Sequence, residues 1–207
     1  QPDFNPILVD RFILLVSYEG FQPVLCFSKA DLMDEDLEEW LREEYSVFPL
    51  YFVSMESGQG LAELSQQLAG KVSVLAGASG VGKSSLINIL NPDSNLVTGE
   101  VNQKMGMGKH TTRHVSLHRV GLENNYGWLA DSPGFSNLKL PPVNRSELAT
   151  FYPEFVPWLG HCTFKDCLHE HEDEDGCAVK RNIDTDSERY YNYLRLLEEV
   201  KELYKMR

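Results

Sequence analysis

The stretch Gly77-Ala78-Ser79-Gly80-Val81-Gly82-Lys83-Ser84 fits the pattern GxxxxGK[ST]. An apolar run at residues 72–76 precedes it, and residues 86–90 continue it as a helix, which is the context that this motif requires. Backbone N–H groups of such a turn and the helix N-terminus attract phosphate oxygens, while the lysine neutralises their charge and the serine can ligate Mg²⁺. The stretch therefore predicts a phosphate-binding loop, with candidate ligands Gly77, Ser79, Gly80, Val81, Gly82, Lys83, Ser84 and Ser85.

The segments around this loop alternate between apolar runs and helix-like patterns. The runs at residues 23–27, 50–53 and 72–76 predict strands, and the intervening segments at 34–44 and 60–69 predict helices. This alternation indicates a mostly parallel sheet flanked by helices. Residues 115–120 and 128–130 predict two more strands joined by a turn, which adds an antiparallel pair.

Composition and charge exclude several classes of protein. Of 207 residues, 42% are hydrophobic and 24% are charged, as in an ordinary globular protein and not a disordered or fibrous one. The apolar runs are too short to span a bilayer. The net charge of −12 argues against binding nucleic acid or anionic lipid through the whole surface. Because the chain starts at Gln1 without a signal-like segment, we expect a fragment or a processed form.

Three further loops at predicted strand ends fit a guanine nucleotide. Asp131-Ser132-Pro133-Gly134 places a carboxylate where it can hold hydrated Mg²⁺ and Gly134 where its N–H can meet a γ-phosphate; by itself this pattern is a common turn. In the segment Ser28-Lys29-Ala30-Asp31, the aspartate can accept hydrogen bonds from guanine N1 and N2, and the lysine stem can pack along the base.

Ser28 stands where an asparagine amide would bridge the base and the phosphate loop, and a helix-capping role for Asp31 is the alternative interpretation. Ser54 and Met55 follow the strand at residues 50–53, and their backbone N–H groups are candidates for contact with the guanine carbonyl.

The base-reading loops precede the phosphate loop in the chain, whereas standard GTPases have the opposite order. Because all these loops lie at the carboxyl ends of sheet strands, a circular permutation preserves the site. The sequence thus predicts a circularly permuted P-loop GTPase domain over residues 1–140.

A second kind of chemistry follows at the C-terminus, where residues 141–207 predict a small helical domain. Three cysteines and a histidine lie within sixteen residues, a set suited to one tetrahedral, structural Zn²⁺. The candidate ligands are Cys162, Cys167, His169 and Cys177, with His171 as the alternative histidine.

The whole chain resembles the circularly permuted GTPases of the RsgA (YjeQ) type, which are biogenesis factors of the small ribosomal subunit. The resemblance depends on the motifs above and on Asn5-Pro6, Asp10-Arg11, Gly108-Lys109-His110-Thr111-Thr112, Phe135 and Arg189-Tyr190-x-x-Tyr193-x-x-Leu196. It implies an OB domain upstream of this chain and GTP hydrolysis stimulated by the 30S subunit. Ser28 in place of asparagine, and a spacer before Cys177 that is two residues longer than usual, are departures from the family pattern.

The resemblance also implies the catalytic groups. Phe135 stands where Ras-like enzymes carry a water-orienting glutamine, so the family's switch histidine, here His110, is expected to take that role beside Lys83. Ser84 and Asp131 would hold Mg²⁺ together with Thr112 or Thr111. The position in the motif favours Thr112.

The expected partners are GTP or GDP and the small ribosomal subunit with its rRNA, bound by a monomer that does not enter a membrane. A basic run carrying Lys104, Lys109, Arg113 and Arg119 can meet rRNA phosphate or the nucleotide's own phosphates. Bacterial cytoplasm or an organelle stroma fits this function. Two other classes stay open, namely a P-loop ATPase or nucleotide kinase, and a GTP-gated binding module with incidental hydrolysis.

Overall fold

The computed structural model describes residues 4–91, 116–122, 125–131 and 139–205. The chain forms two compact units that do not follow chain order. The first unit, here called the nucleotide unit, contains Val24–Glu38 and Leu50–Asn137; the second, here called the cysteine unit, contains Phe4–Pro23, Glu39–Pro49 and Leu138–Arg207. The division into domains at residue 140 stays a prediction.

The nucleotide unit is an α/β structure in which short strands alternate with helices. Its strands are β1 (Leu25–Ser28), β2 (Leu50–Val53), β3 (Val72–Leu75), β4 (Ser116–Leu122) and β5 (Asn125–Asp131). Its helices are α3 (Leu61–Leu68) and α4 (Lys83–Leu90), and α2 (Glu35–Glu44) begins in it.

The strands pair in two groups within the described residues. β1 and β2 run parallel, with Ser28 opposite Val53. β5 lies between β3, to which it is parallel, and β4, to which it is antiparallel. The predicted parallel sheet with an added antiparallel pair is confirmed. Apolar side chains of α3, α4 and these strands form its core, which includes Val53, Leu64, Leu86, Ile87, Leu90, Val120 and Leu129.

The cysteine unit is helical. Its helices are α1 (Pro6–Tyr18), the end of α2, α5 (Ala178–Asn182) and α6 (Glu188–Lys205), with 3-10 turns at Leu148–Phe151 and Val156–Trp158. α1 packs on α6 because both present apolar side chains at helical spacing. The buried core includes Leu14, Leu148, Phe155, Tyr193, Leu196, Leu197 and Val200. In the described part of the chain, no helix has the length and apolarity needed to cross a membrane.

Candidate nucleotide site and metal centre

The loop after β1 carries the predicted base-reading residues. Ser28 is the last residue of β1, Lys29 adopts the left-handed conformation at φ +60°, and Asp31 lies exposed in a 3-10 turn at Ala30–Leu32. α2 has its own cap, since Asp34 Oδ1 accepts the N–H of Leu37 at 2.8 Å. The capping role considered for Asp31 therefore belongs to Asp34, and Asp31 lies exposed in the turn that follows the end of β1.

The loop after β2 leaves from the same edge, because β1 and β2 are parallel and in register. Ser54 is fully buried, and its hydroxyl accepts the N–H groups of Glu56 and Ser57 at 3.2 and 3.1 Å. Its own N–H donates to the Gln59 carbonyl at 3.0 Å. Since the Ser54 N–H is already used inside the loop, Met55 is the better candidate of this pair for contact with a base.

The phosphate loop connects β3 to α4 as its pattern predicts. Gly80 and Gly82 have φ of +82° and +95°, which L-residues with side chains rarely adopt, and α4 begins directly afterwards at Lys83. The Lys83 ammonium donates to the carbonyls of Gly77 and Ala78, both at 2.8 Å. The lysine thus lies over the start of the loop, where it can exchange these carbonyls for phosphate oxygens.

The base-reading loop and the phosphate loop are in direct contact. The Ser28 hydroxyl donates to the Val81 carbonyl at 2.7 Å, across 53 positions of sequence. The Met55 methyl lies where a side chain on Gly82 would collide, 2.9 Å from the ideal Cβ position. Residues that would read a base are therefore held next to residues that would hold its phosphates.

The strand that carries Asp131 lies beside the strand that leads into the phosphate loop. In the parallel pair of β3 and β5, the Cα of Asp131 is the partner of Leu75 at the ends of both strands. This backbone position fits the predicted magnesium role. Other predicted site residues lie outside the described residues, namely His110, Thr111, Thr112 and Gly134.

The three C-terminal cysteines and one histidine converge on one point. Their four ligand atoms lie within 4.8 Å of one another. His169 Nδ1 is 3.3 Å from the Sγ of both Cys167 and Cys177 and 3.7 Å from that of Cys162, and Cys162 and Cys177 are 4.0 Å apart. Ligands of a tetrahedral zinc at ordinary bond lengths are separated by about 3.5 to 3.8 Å. The four residues therefore form a cluster that can hold a metal ion.

The two candidate histidines occupy different environments. His169 is buried at 5% exposure, and a left-handed backbone at φ +56° turns its ring toward the cysteines. The His171 side chain is 87% exposed and faces Glu170, with Nε2 and Oε2 3.4 Å apart. The geometry favours His169 as the fourth ligand, as the preferred spacing predicts.

The protonation of the cluster follows from its burial. Burial lowers the pKa of His169 and so favours the neutral ring, which is the form that binds metals. Burial also raises the pKa of the Cys167 and Cys177 thiols. A bound cation would reverse this trend by favouring thiolates, and its binding would then release protons.

Helix α6 supports the backbone of the metal cluster. The Tyr190 hydroxyl donates to the His169 carbonyl at 2.9 Å, and the Tyr193 hydroxyl donates to the Leu168 carbonyl at 2.7 Å. The sequence marked these tyrosines only as residues of a motif that resembles the family. Their role was missed because the position of a tyrosine in a motif does not show which distant backbone carbonyl its hydroxyl meets.

A buried charge network ties α1 to α6 in the same unit. Arg189 is 3% exposed; its guanidinium contacts the Asp10 carboxylate and donates to both Glu154 carboxylate oxygens at 2.6 and 3.0 Å. Asn192 donates to the second Asp10 oxygen at 2.8 Å. Burial raises the pKa of Asp10 to about 7, against the opposing effects of Arg189 and the Asn192 hydrogen bond. The sequence marked Asp10 and Arg189 as family motif residues but gave no sign that they meet.

Strand-end loops in permuted order, a phosphate loop and a Cys3His cluster together define a circularly permuted P-loop GTPase with a metal-binding helical unit. The RsgA GTPase family model matches residues 1–141. The chain belongs to the RsgA GTPase family and is a GTP hydrolase.

Similar proteins cover almost the whole chain. A protein of Bacillus cereus named small ribosomal subunit biogenesis GTPase RsgA is 39% identical across 98% of this chain and 70% of its own length. A protein of the same name from Moorella thermoacetica is 42% identical across 96% and 68%. The crystal structure of YjeQ from Thermotoga maritima superposes with a TM-score of 0.77 at 31% identity, covering 97% of this chain and 67% of that one. The predicted fold class is thereby confirmed.

Proposed function

We propose that GTP hydrolysis by this chain is coupled to maturation of the small ribosomal subunit and is stimulated by that subunit. The printed names of the relatives support this role. The observation that supports a GTP site is the hydrogen bond from the Ser28 hydroxyl to the Val81 carbonyl, which joins the loop after β1 to the phosphate loop.

In this proposal each strand-end loop meets one part of the nucleotide. Asp31 and the Met55 N–H read the guanine edge, and Lys29 packs along the base. Backbone N–H groups of the phosphate loop and the Lys83 ammonium hold the β- and γ-phosphates, where the helix N-terminus adds a favourable dipole. Gly134 would reach the γ-phosphate from the end of β5.

Magnesium and the attacking water complete the reaction. Ser84 would ligate Mg²⁺ directly, Asp131 would hold it through water, and Thr112 or Thr111 would close over it in the GTP state. His110 would orient the water, because Phe135 offers no polar group for that purpose. The basic run at residues 104–119 would then meet rRNA phosphate near the site.

The metal cluster is proposed to hold one structural Zn²⁺. Three thiolates and one imidazole match the preference of zinc for sulfur and nitrogen, and four protein ligands leave no open position for a substrate. Metal content should fall in Cys177→Ser, whereas Cys26→Ser, at the one cysteine outside the cluster, should leave the metal content unchanged.

The proposed setting is the bacterial cytoplasm, where the relatives' ribosomal role takes place, and the proposed working form is a monomer. This placement follows from the named function of the relatives, which belong to bacteria.

Turnover with purified small subunits tests the coupling. The wild-type chain should hydrolyse GTP slowly alone and faster with the subunits, and His110→Ala should keep GTP binding but lose the stimulation. His161→Ala, an exposed histidine of the cysteine unit, should behave as wild type. Equal rates with and without subunits would refute the coupling, and full stimulation of His110→Ala would remove that histidine from the mechanism.

A further inference from the structure

An acidic run at residues 170–175 separates His169 from Cys177 in the metal cluster, and five of its six residues carry a carboxylate. In the described part of the chain, the group of atoms placed to bind a metal contains none of these carboxylates. One of them, Glu172, instead contacts the backbone beside the histidine. The spacer between two ligands therefore has a side chain that contacts the site without being a ligand.

The Glu172 carboxylate binds the backbone on both sides of His169. Its Oε1 accepts the N–H of Leu168 at 3.1 Å, and its Oε2 accepts the N–H of Glu170 at 3.0 Å. An ionised carboxylate is an acceptor at both oxygens, so it can serve two N–H donors at once, whereas the amide of a glutamine has a single acceptor oxygen. His169 is thus the residue enclosed by the two hydrogen bonds.

The enclosed residue has a backbone conformation that needs support. His169 lies in the left-handed region at φ +56°, which a residue with a side chain seldom adopts unless its surroundings hold it there. This conformation brings Nδ1 to 3.3 Å from the Sγ atoms of Cys167 and Cys177. A contact that fixes the backbone at His169 therefore fixes the position of a candidate metal ligand.

The carbonyl groups of this turn are bound from the helices that follow it in the chain. The Lys180 ammonium of α5 donates to the carbonyls of Glu172 and Glu170, at 2.7 and 3.4 Å. Two tyrosines of α6 donate to the carbonyls of His169 and Leu168. Helix side chains thus hold carbonyl groups of the turn, and Glu172 holds its N–H groups.

We propose that Glu172 is a positioning residue of the metal centre, which holds His169 in the left-handed turn that directs its ring to the three cysteines. The inference rests on the proposed metal-binding function of the cluster. Because the ligand is already fixed when a metal binds, less conformational freedom is lost, and the metal is held more tightly. Contacts of this kind change metal affinity roughly 10- to 100-fold in other sites.

Competition between the whole chain and a chromophoric chelator for Zn²⁺ tests this. Glu172→Ala removes both acceptors and should raise the dissociation constant for Zn²⁺ roughly 10- to 100-fold. Glu172→Gln keeps one acceptor oxygen and should fall between the wild type and Glu172→Ala. Wild-type affinity in Glu172→Ala would overturn the inference.

The matched control is Glu174→Ala, at an exposed carboxylate of the same run. Arg181 Nε meets Glu174 at its backbone carbonyl, at 3.2 Å, and the substitution retains that group. Glu174→Ala should therefore keep the wild-type affinity for Zn²⁺. A loss as large as that of Glu172→Ala would assign the effect to the charge of the run and would overturn the specific role of Glu172.

Co²⁺ bound in place of Zn²⁺ separates a positioning role from a general role in folding. The ligand-field absorption bands of Co²⁺ depend on the identity and geometry of its ligands, whereas a general loss of stability lowers only the bound fraction. At saturating Co²⁺, Glu172→Ala should shift the bands in the direction seen for His169→Ala, and Glu174→Ala should keep the wild-type bands. Unchanged band positions in Glu172→Ala would overturn the positioning role.

The same titrations separate this inference from the function beneath it. If the wild-type chain bound neither Zn²⁺ nor Co²⁺, the metal centre would be refuted, and the inference with it. If the wild type bound both ions and Glu172→Ala matched it in affinity and in band positions, only the inference on Glu172 would fail.

Discussion

At the scale of single residues, the cysteine unit depends on a small number of buried polar contacts. Arg189 shows this most clearly, because its guanidinium meets two carboxylates and also lies over the rings of Phe48 and Tyr152, 5.1 and 4.9 Å from their centres. When one partner of a buried ion network is removed, the remaining charges stay buried without compensation. The resulting loss of stability is larger than the stability that the intact network provides relative to apolar residues in the same place.

Arg189→Ala should therefore lower the free energy of unfolding by about 3 to 5 kcal/mol. Urea denaturation of the whole chain measures this. The matched control is Glu199→Gln, which breaks the more exposed pair with Arg11 and should cost about 1 kcal/mol or less. Equal losses in the two variants would show that the buried network has no special weight.

The protonation of Asp10 predicts a dependence of stability on pH. Burial raises its folded pKa to about 7 from an ordinary value of 3.8, so between these values the folded chain binds more protons than the unfolded chain. The contribution of Asp10 to stability is thus complete below about pH 4 and is lost as the pH rises through about 7. Glu44, Glu154 and Arg189 face the same carboxyl and act on the same titration.

The free energy of unfolding, measured by urea titration at pH 5 and pH 8, should fall less steeply with pH in Asp10→Asn than in the wild type. Asp36→Asn, at an exposed carboxyl of α2, should keep the wild-type slope. A wild-type slope in Asp10→Asn would show that another group carries the effect.

At the scale of helices and strands, sequence patterns predicted most elements because period and composition are local properties. The alternation of apolar runs located β1, β2, β3 and the pair β4 and β5. The same patterns could not assign α1 and residues 39–49 to the cysteine unit. An amphipathic face shows that a helix packs against something, but not against what.

The site divides in the same way. The residues of the phosphate loop and of the metal cluster could be predicted from their spacing in the sequence, because each set lies within a short segment of the chain. The contact of Ser28 with the Val81 carbonyl and the use of the Ser54 N–H within its own loop could not be predicted. Both depend on backbone acceptors, which every residue has and which leave no mark in the sequence.

Helix α6 should report the state of the metal cluster, because Tyr190 and Tyr193 hold the carbonyls of His169 and Leu168. Removing the metal with a chelator should increase hydrogen exchange in α6, most strongly around these tyrosines. Amides of α3 in the nucleotide unit serve as the internal control and should keep their protection. Unchanged exchange in α6 after metal loss, verified by metal analysis, would contradict the structural role of the cluster.

At the scale of the whole molecule, chain order and spatial order differ. The base-reading loops at residues 28–31 and 54–55 come before the phosphate loop at residues 77–84 in the chain, but all leave strand ends, and Ser28 joins the first loop to the last. A site made of strand-end loops depends on the sheet and not on the order in which the chain supplies its strands. Permuted order therefore leaves the nucleotide chemistry intact.

The central claim is that one guanine nucleotide is held by Asp31 at its base and by Lys83 at its phosphates. Equilibrium binding of GTP, ATP and xanthosine triphosphate to the wild type, Asp31→Asn and Lys83→Ala tests it most directly. The wild type should prefer GTP, Asp31→Asn should lose that preference and gain affinity for xanthosine triphosphate, and Lys83→Ala should weaken all three. Wild-type GTP affinity in Asp31→Asn would contradict the account.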